Sequence, residues 1–289
     1  MEIANGGYQF TWALARLRLG GASLSLRAPW PALLAVGSCA AYVALVAAAA
    51  STTWWRASAA RLAKAHHAAL CVYSAACFCA ALFALVQSGE AADFAEWLAS
   101  PAAGAARAPR LYCAPVPPWL RVVSLTFIAS KVWEWGDTLA LLAQGKSLRE
   151  IGILHLYHHC TTVLCFLFTS SFPVTEKAGL LLNGLVHALM YFHFAFRLPR
   201  AARPLLTALQ IAQLAAVTYA WNDCARLCGE AAAYKRDSPL AFWTPYATVP
   251  VYLLFFVKFF AEQYCCKATA NDGDGSGGER KASRKHKVT

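Results

Sequence analysis

Uninterrupted apolar runs about 20 residues long constrain this chain most, because that length matches the roughly 30 Å hydrocarbon core of a bilayer. Seven such segments can be read between breakers, over residues 30–50, 67–87, 119–144, 151–171, 173–196, 204–221 and 240–261. Inside lipid, backbone groups must be satisfied within their own segment, so the expected fold is an all-α integral membrane protein of seven transmembrane helices. Pro29, Pro31, Pro118, Pro173 and Pro204 fall at helix starts, where a missing N–H costs little. The expected organisation is an N-terminal arm over 1–29, a helical domain over 30–262 and a flexible basic tail over 263–289. The arm carries Arg16, Arg18 and Arg27 without an apolar core, so no cleavable signal peptide is expected.

Composition excludes the soluble classes. Hydrophobic residues make up 58% and charged residues 14% of the chain, against roughly 25% charged in soluble domains. The net charge of +11 does not mark a nucleic-acid binder, since the basic residues form short clusters between apolar segments rather than one stripe. Such clusters set membrane orientation and meet anionic lipid or substrate. The eleven cysteines are odd in number and show no CxxC pair, which argues against a disulfide scaffold or a zinc site.

Orientation follows from the basic residues. The side holding the 1–2, 3–4 and 5–6 loops and the C-terminus carries fourteen Lys and Arg, against ten on the other side. The richer side is expected in the cytosol. The chain ends Lys285-His286-Lys287-Val288-Thr289, which is similar to a dilysine signal for retrieval to the endoplasmic reticulum, an address read in the cytosol. Both features place the C-terminus in the cytosol and the N-terminus in the lumen of that compartment.

Ionisable and amide side chains at membrane depth mark an interior site. The third segment has Lys131, Glu134, Asp137 and Thr138; the fourth has His155, His158 and His159; the fifth has Asn183, His187, Met190 and Tyr191; the sixth has Thr207, Gln210 and Gln213. At 1.5 Å per residue, Asp137, His158, His187, Gln210 and Gln213 all fall about 9–14 Å from the cytosolic ends. Lys131 lies deeper, and Glu134 can offset its charge. The expected site is buried and opens to the cytosol.

Histidines at i, i+3 and i+4 suit metal binding or nucleophilic and acid–base work. The membrane di-iron desaturases and hydroxylases use about eight histidines in three boxes. This chain has eight in all, of which His286 lies in the tail and His66–His67 read as an interfacial pair. Too few remain, and no metal is expected. A seven-helix transporter or receptor without chemistry is the other alternative.

The segments KVWEWGDT, HLYHH, NGLVHALMY and TALQIAQ, in this order, resemble the KxxExxDT, HxxHH, NxxxHxxMY and TxxQxxQ boxes of the ELO family of very-long-chain fatty-acid elongases. The resemblance covers about residues 119–267 and departs from the family at His193, where tyrosine is usual. It implies a 3-ketoacyl-CoA synthase that condenses acyl-CoA with malonyl-CoA, releasing CO2 and CoA, with no bound cofactor. It further implies six or seven helices enclosing a narrow acyl-chain tunnel open to the cytosol. By motif position His158 is the nucleophile and His187 its partner for malonyl-CoA or a proton. His155 and His159 would orient His158, and Asn183 and Gln213 would donate to the thioester oxygen or enolate. Lys131 and Glu134 fit a structural ion pair as well as a catalytic one, Gln210 fits packing, and Asp137 and Tyr191 complete the pocket. A basic mouth would receive CoA, with Lys258 the strongest single candidate. His155 at the first box position leans toward saturated or monounsaturated substrates. The resemblance also implies work beside the ketoacyl reductase, dehydratase and enoyl reductase of the elongation cycle, and self-association. An oxidising lumen would allow Cys113 to pair with Cys224 or Cys228, and the resemblance favours such a bond.

Overall fold

A computed structural model describes residues 29–52, 56–99, 109–169, 172–229, 235–236 and 239–265. The N-terminal arm over 1–28 and the tail from 266, with Lys285 and Lys287, lie outside the described residues. The described chain contains helices and no strand. They are α1 (Pro29–Ala50), α2 (Arg56–Gln87), α3 (Ala91–Ala99), α4 (Pro109–Cys113), α5 (Pro118–Trp133), α6 (Trp135–Ala143), α7 (Leu148–Ile151), α8 (Ile153–Thr169), α9 (Leu180–Phe196), α10 (Arg203–Leu227) and α11 (Pro239–Phe260). Three helical stretches are long and apolar enough to cross a membrane by length and composition: Ser58–Gln87, Thr175–Phe196 and Phe242–Cys265. Val36–Ala50 and Ile153–Thr169 are apolar but shorter. Their outer faces expose large apolar side chains such as Val36, Leu62, Val72 and Leu254, as lipid-facing surfaces do.

The boundaries depart from expectation in instructive places. The second helix begins at Arg56, eleven residues before the expected start, because its alanine-rich entry favours helix despite being polar. The third segment is two helices rather than one. At Glu134 the ladder tightens, with its N–H donating to Ser130 O (2.8 Å) and its own carbonyl accepting from Asp137 N three residues on (3.0 Å). A π-helical turn, Thr175–Gly179, precedes α9, and another, Ala261–Cys265, follows α11. Pro245 and Pro250 sit inside α11, where each removes one ladder donor. The short helices α3 and α4 had no counterpart in the sequence reading.

Successive helix contacts close a ring: α2 packs on α9, α9 on α10, α10 on α11, α11 on α8, α8 on α5, and α5 back on α2. Helix α1 lies outside it, against α8 and α6. Gly184 makes the α2–α9 contact close, since a Cβ there would meet Phe78 N at 3.1 Å and Ser74 O at 3.2 Å. One end of the ring is tied by polar and covalent links. Cys113 and Cys228 form a disulfide. Arg121 donates to Glu176 Oε1 (3.2 Å) and Oε2 (3.1 Å), and Lys177 donates to Glu90 (2.7 Å). These links hold the π turn against α5 and the end of α2.

Candidate active site

A cleft lies within the ring between α8, α9, α10 and α11. His158, Thr162, Cys165 and Thr169 line it from one face of α8, at i, i+4, i+7 and i+11. Those eleven residues span about 16 Å of helix axis. Asn183 faces this row from α9, Gln213 and Trp221 from α10, and Tyr252 from α11. Polar side chains thus gather at the His158 end. The other end, at Val174, Thr175 and Trp221, is mostly apolar and lies toward the disulfide.

Helix α8 divides its three histidines. His158 turns into the cleft, its ring centroid 5.1 Å from that of Tyr252. The Tyr252 hydroxyl shares a 2.6 Å hydrogen bond with Thr161 Oγ1. His155 and His159, one turn apart, pack against each other on a neighbouring face, with ring centroids 4.3 Å apart and planes tilted by 40°. His155 Nε2 meets Thr138 Oγ1 at 2.9 Å, and that same oxygen meets the Tyr42 hydroxyl of α1 at 2.9 Å. His159 lies 6.4 Å from the Tyr42 ring, and Trp135 Nε1 donates to its carbonyl at 3.0 Å. The short helix α7, just before α8, begins with a capping box. Ser147 Oγ and N–H both donate to the Glu150 carboxylate, and Glu150 N–H donates back to Ser147 Oγ. These bonds hold the Glu150 carboxyl below the usual carboxylate range.

A buried polar chain runs behind the cleft. Lys131 Nζ donates to Glu134 Oε1 (2.7 Å) and to Asn183 Oδ1 (3.2 Å), and sits 4.0 Å from the Phe127 ring centroid. Asn183 Nδ2 donates to Gln213 Oε1 at 3.4 Å. His187 Nδ1 is 3.4 Å from Glu134 Oε1 without hydrogen-bonding geometry. Lys131 and Glu134 are 1% exposed, a depth at which each charge requires its partner.

Asp137 serves a different set of neighbours. Its Oδ2 accepts from the Tyr191 hydroxyl (2.8 Å), and its Oδ1 contacts His66 Nε2 (2.9 Å) and His67 Nε2 (3.4 Å). Gly136 permits that approach, since a Cβ there would meet His66 Cε1 at 2.6 Å. His66 and His67 are therefore not a simple interfacial pair. The early start of α2 carries them a full ten residues into the helix, level with Asp137. That early start was the missing signal.

The structure thus brings His158, Asn183 and Gln213 to one cleft, with Lys131, Glu134 and His187 immediately behind the two amides. Asp137 and Tyr191 are buried on the α2 side and do not line it. Gln210 is half-buried and also outside the cleft lining. Lys258 is exposed on the outer surface, 3.8 Å from Glu262. His193 Nδ1 accepts from Leu198 N at 2.9 Å at the end of α9. Cys224 lies beside the disulfide, its Sγ 3.8 Å from that of Cys228. Among the described residues, no group of three or more His, Cys, Asp or Glu is arranged to hold a metal ion. Tyr42, Thr162 and Tyr252 are site residues that the sequence motifs do not mark.

The sequence model of the GNS1/SUR4 (ELO) family matches residues 25–272, most of the chain and every element just described. The chain belongs to the ELO family. Fatty acid elongase 2 of Trypanosoma brucei brucei is 38% identical over 112 residues, 36% of this chain and 38% of that protein. Long chain fatty acid elongase 2 of Caenorhabditis elegans is 29% identical over 151 residues, covering 49% of this chain and 53% of that protein. Very long chain fatty acid elongase 6 of Drosophila melanogaster is 27% identical over 149 residues, 48% of this chain and 45% of that protein. The chain thus matches about half or less of the length of these relatives. No solved structure gives a significant match.

Proposed function

We propose that this ELO-family chain is a 3-ketoacyl-CoA synthase of fatty-acid elongation, condensing a long-chain acyl-CoA with malonyl-CoA in a multi-pass membrane domain of seven spans. The observation that carries the reading is the placement of His158 at the polar end of a cleft whose other end is mostly apolar. A thioester at His158 would lay its acyl tail along α8 toward the disulfide end. The CoA moiety would stay outside, near Lys146, Arg149, Arg197, Arg200 and Arg203. Charge asymmetry supports a cytosolic mouth, and the dilysine-like end supports residence in the endoplasmic reticulum.

The chemistry divides into two half-reactions. A neutral His158 ring nitrogen attacks the thioester carbonyl, forming a C–N bond while the π pair moves to oxygen. Collapse of that oxyanion breaks the C–S bond, and the departing thiolate takes the proton that the acylated imidazole sheds. Malonyl-CoA then loses CO2 to leave the enolate of acetyl-CoA. Its carbon attacks the acyl carbonyl, the C–N bond breaks, and the imidazole regains a proton, with His187 as donor. Covalent catalysis of this kind splits one hard step into two easier ones. Glu134 lies 3.4 Å from His187, while Asn183 and Gln213 line the wall where malonyl-CoA would bind.

The test is condensation activity in membranes containing the chain, with labelled malonyl-CoA and a panel of acyl-CoAs. The reading requires labelled 3-ketoacyl-CoA from wild type and none from His158→Ala. No product across the panel from folded wild-type protein would contradict it.

A further inference from the structure

Thr162 is 4% exposed, lines the cleft and leaves its hydroxyl without a hydrogen-bond partner. A threonine in an apolar helix ordinarily bonds the carbonyl one turn back. In this molecule Thr161 does so to Tyr157 O (2.7 Å), Thr169 to Cys165 O (2.9 Å), Thr218 to Leu214 O (2.8 Å) and Thr248 to Thr244 O (2.9 Å). Thr162 departs from that pattern. It is the one buried hydroxyl among the described residues left unpartnered. A buried donor without an acceptor is unfavourable, so its retention points to a ligand that supplies the acceptor.

The position of Thr162 limits what that ligand atom can be. It lies four residues after His158 on the same face of α8, about 6 Å further along the axis and into the cleft. Most of the polar oxygens near His158 already have partners. Thr161 and Tyr252 hydroxyls bond each other, and the Asn183 amide accepts from Lys131 and donates to Gln213. From these observations we infer that the Thr162 hydroxyl is a catalytic oxyanion donor. It donates to the acyl oxygen when His158 attacks the thioester and when the enolate attacks the acyl-imidazole. Both attacks move a π pair onto that oxygen, and a donor placed where negative charge develops favours the transition state over the ground state. Thr162 keeps its proton throughout and forms no covalent bond.

This inference rests on the synthase reading, and the test separates the two. The first half-reaction is followed as CoA release from acyl-CoA in a single turnover without malonyl-CoA, using purified full-length protein. Wild type, His158→Ala, Thr162→Val and Thr162→Ser are compared. Valine matches threonine in shape, so the fold is retained, and loss of one oxyanion donor slows reactions of this type by about 10²–10³-fold. The expected result is CoA release slowed about 100-fold in Thr162→Val, with KM for acyl-CoA little changed and most of the rate restored in Thr162→Ser. Release from Thr162→Val at the wild-type rate, with His158→Ala inactive, overturns the role of Thr162 and leaves the synthase reading intact. Equal slowing by Val and Ser, accompanied by loss of thermal stability, also overturns it in favour of packing. Absence of CoA release from wild type overturns the synthase reading itself.

Discussion

His158 and His159 are adjacent in the chain, yet His158 faces the cleft beside Tyr252 while His159 is buried against Tyr42 and packed against His155. One residue of helix rotation separates a ring that lines the cleft from one packed behind it. His155 is anchored by Thr138 Oγ1, which also meets the Tyr42 hydroxyl. Thr138→Val keeps the shape and strands both partners, so it should destabilise the protein by about 1–3 kcal/mol. Thermal unfolding in detergent reads that loss, and Tyr42→Phe should show a smaller one.

The Lys131–Glu134 pair is a buried ion pair with Asn183 as third member. Glu134→Gln leaves the ammonium group without its counter-charge and should cost about 3–5 kcal/mol. The double variant Lys131→Met with Glu134→Gln should recover most of that stability, because no charge is then stranded. Recovery of stability without recovery of condensation would assign the pair a role in the reaction through His187. Recovery of both would make it structural.

Gly136 lets His66 reach Asp137. Gly136→Ala pushes a methyl into the His66 ring and should destabilise by about 1–3 kcal/mol. His66→Ala, which removes the obstructing ring, should make a second substitution at Gly136 nearly neutral. That non-additivity is the signature of direct contact, and a double-mutant cycle on thermal unfolding measures it.

The Cys113–Cys228 disulfide closes a loop of 115 residues. Cys113→Ser should lose on the order of 2–5 kcal/mol and abolish sensitivity of unfolding to reductant. Cys224→Ser should retain that sensitivity. A Cys224→Ser protein that no longer responds to reductant would assign the bond to the other pairing.

The Ser147–Glu150 box caps α7, the turn before α8, and titrates. With the folded carboxyl below its unfolded value, the stability it contributes is present above the ordinary carboxylate range. It is lost as pH falls through the lower folded value. Hydrogen-exchange protection at 148–151, taken relative to the intrinsic rate at each pH, should therefore fall under acid, and in Ser147→Ala it should be low already at neutral pH.

Helical arithmetic made much of this legible. The i, i+3, i+4 spacing groups His155, His158 and His159 on one side of the helix, but only the packing shows that His158 alone lines the cleft. Counting residues from the segment ends brought His158, Asn183's helix and Gln213 to one depth. The break at Glu134 was not legible, since nothing in KVWEWGDT interrupts helical periodicity; it sends Lys131 and Glu134 toward α9 and Asp137 toward α2. The partners of Asp137 were hidden because α2 begins in a polar stretch that hydropathy alone assigns to a loop. Cysteine spacing could not choose between Cys224 and Cys228, which lie one helical turn apart. Tyr42 sits in an alanine-rich helix without a motif, and only the packing of α1 on α8 reveals it.

The most direct measurement is the mass of the protein after incubation with a long-chain acyl-CoA in the absence of malonyl-CoA. The account predicts an acyl adduct on the peptide containing His158, absent from His158→Ala and discharged as 3-ketoacyl-CoA when malonyl-CoA is added. An active protein that carries no adduct, or carries it on another residue, would contradict His158 as the nucleophile.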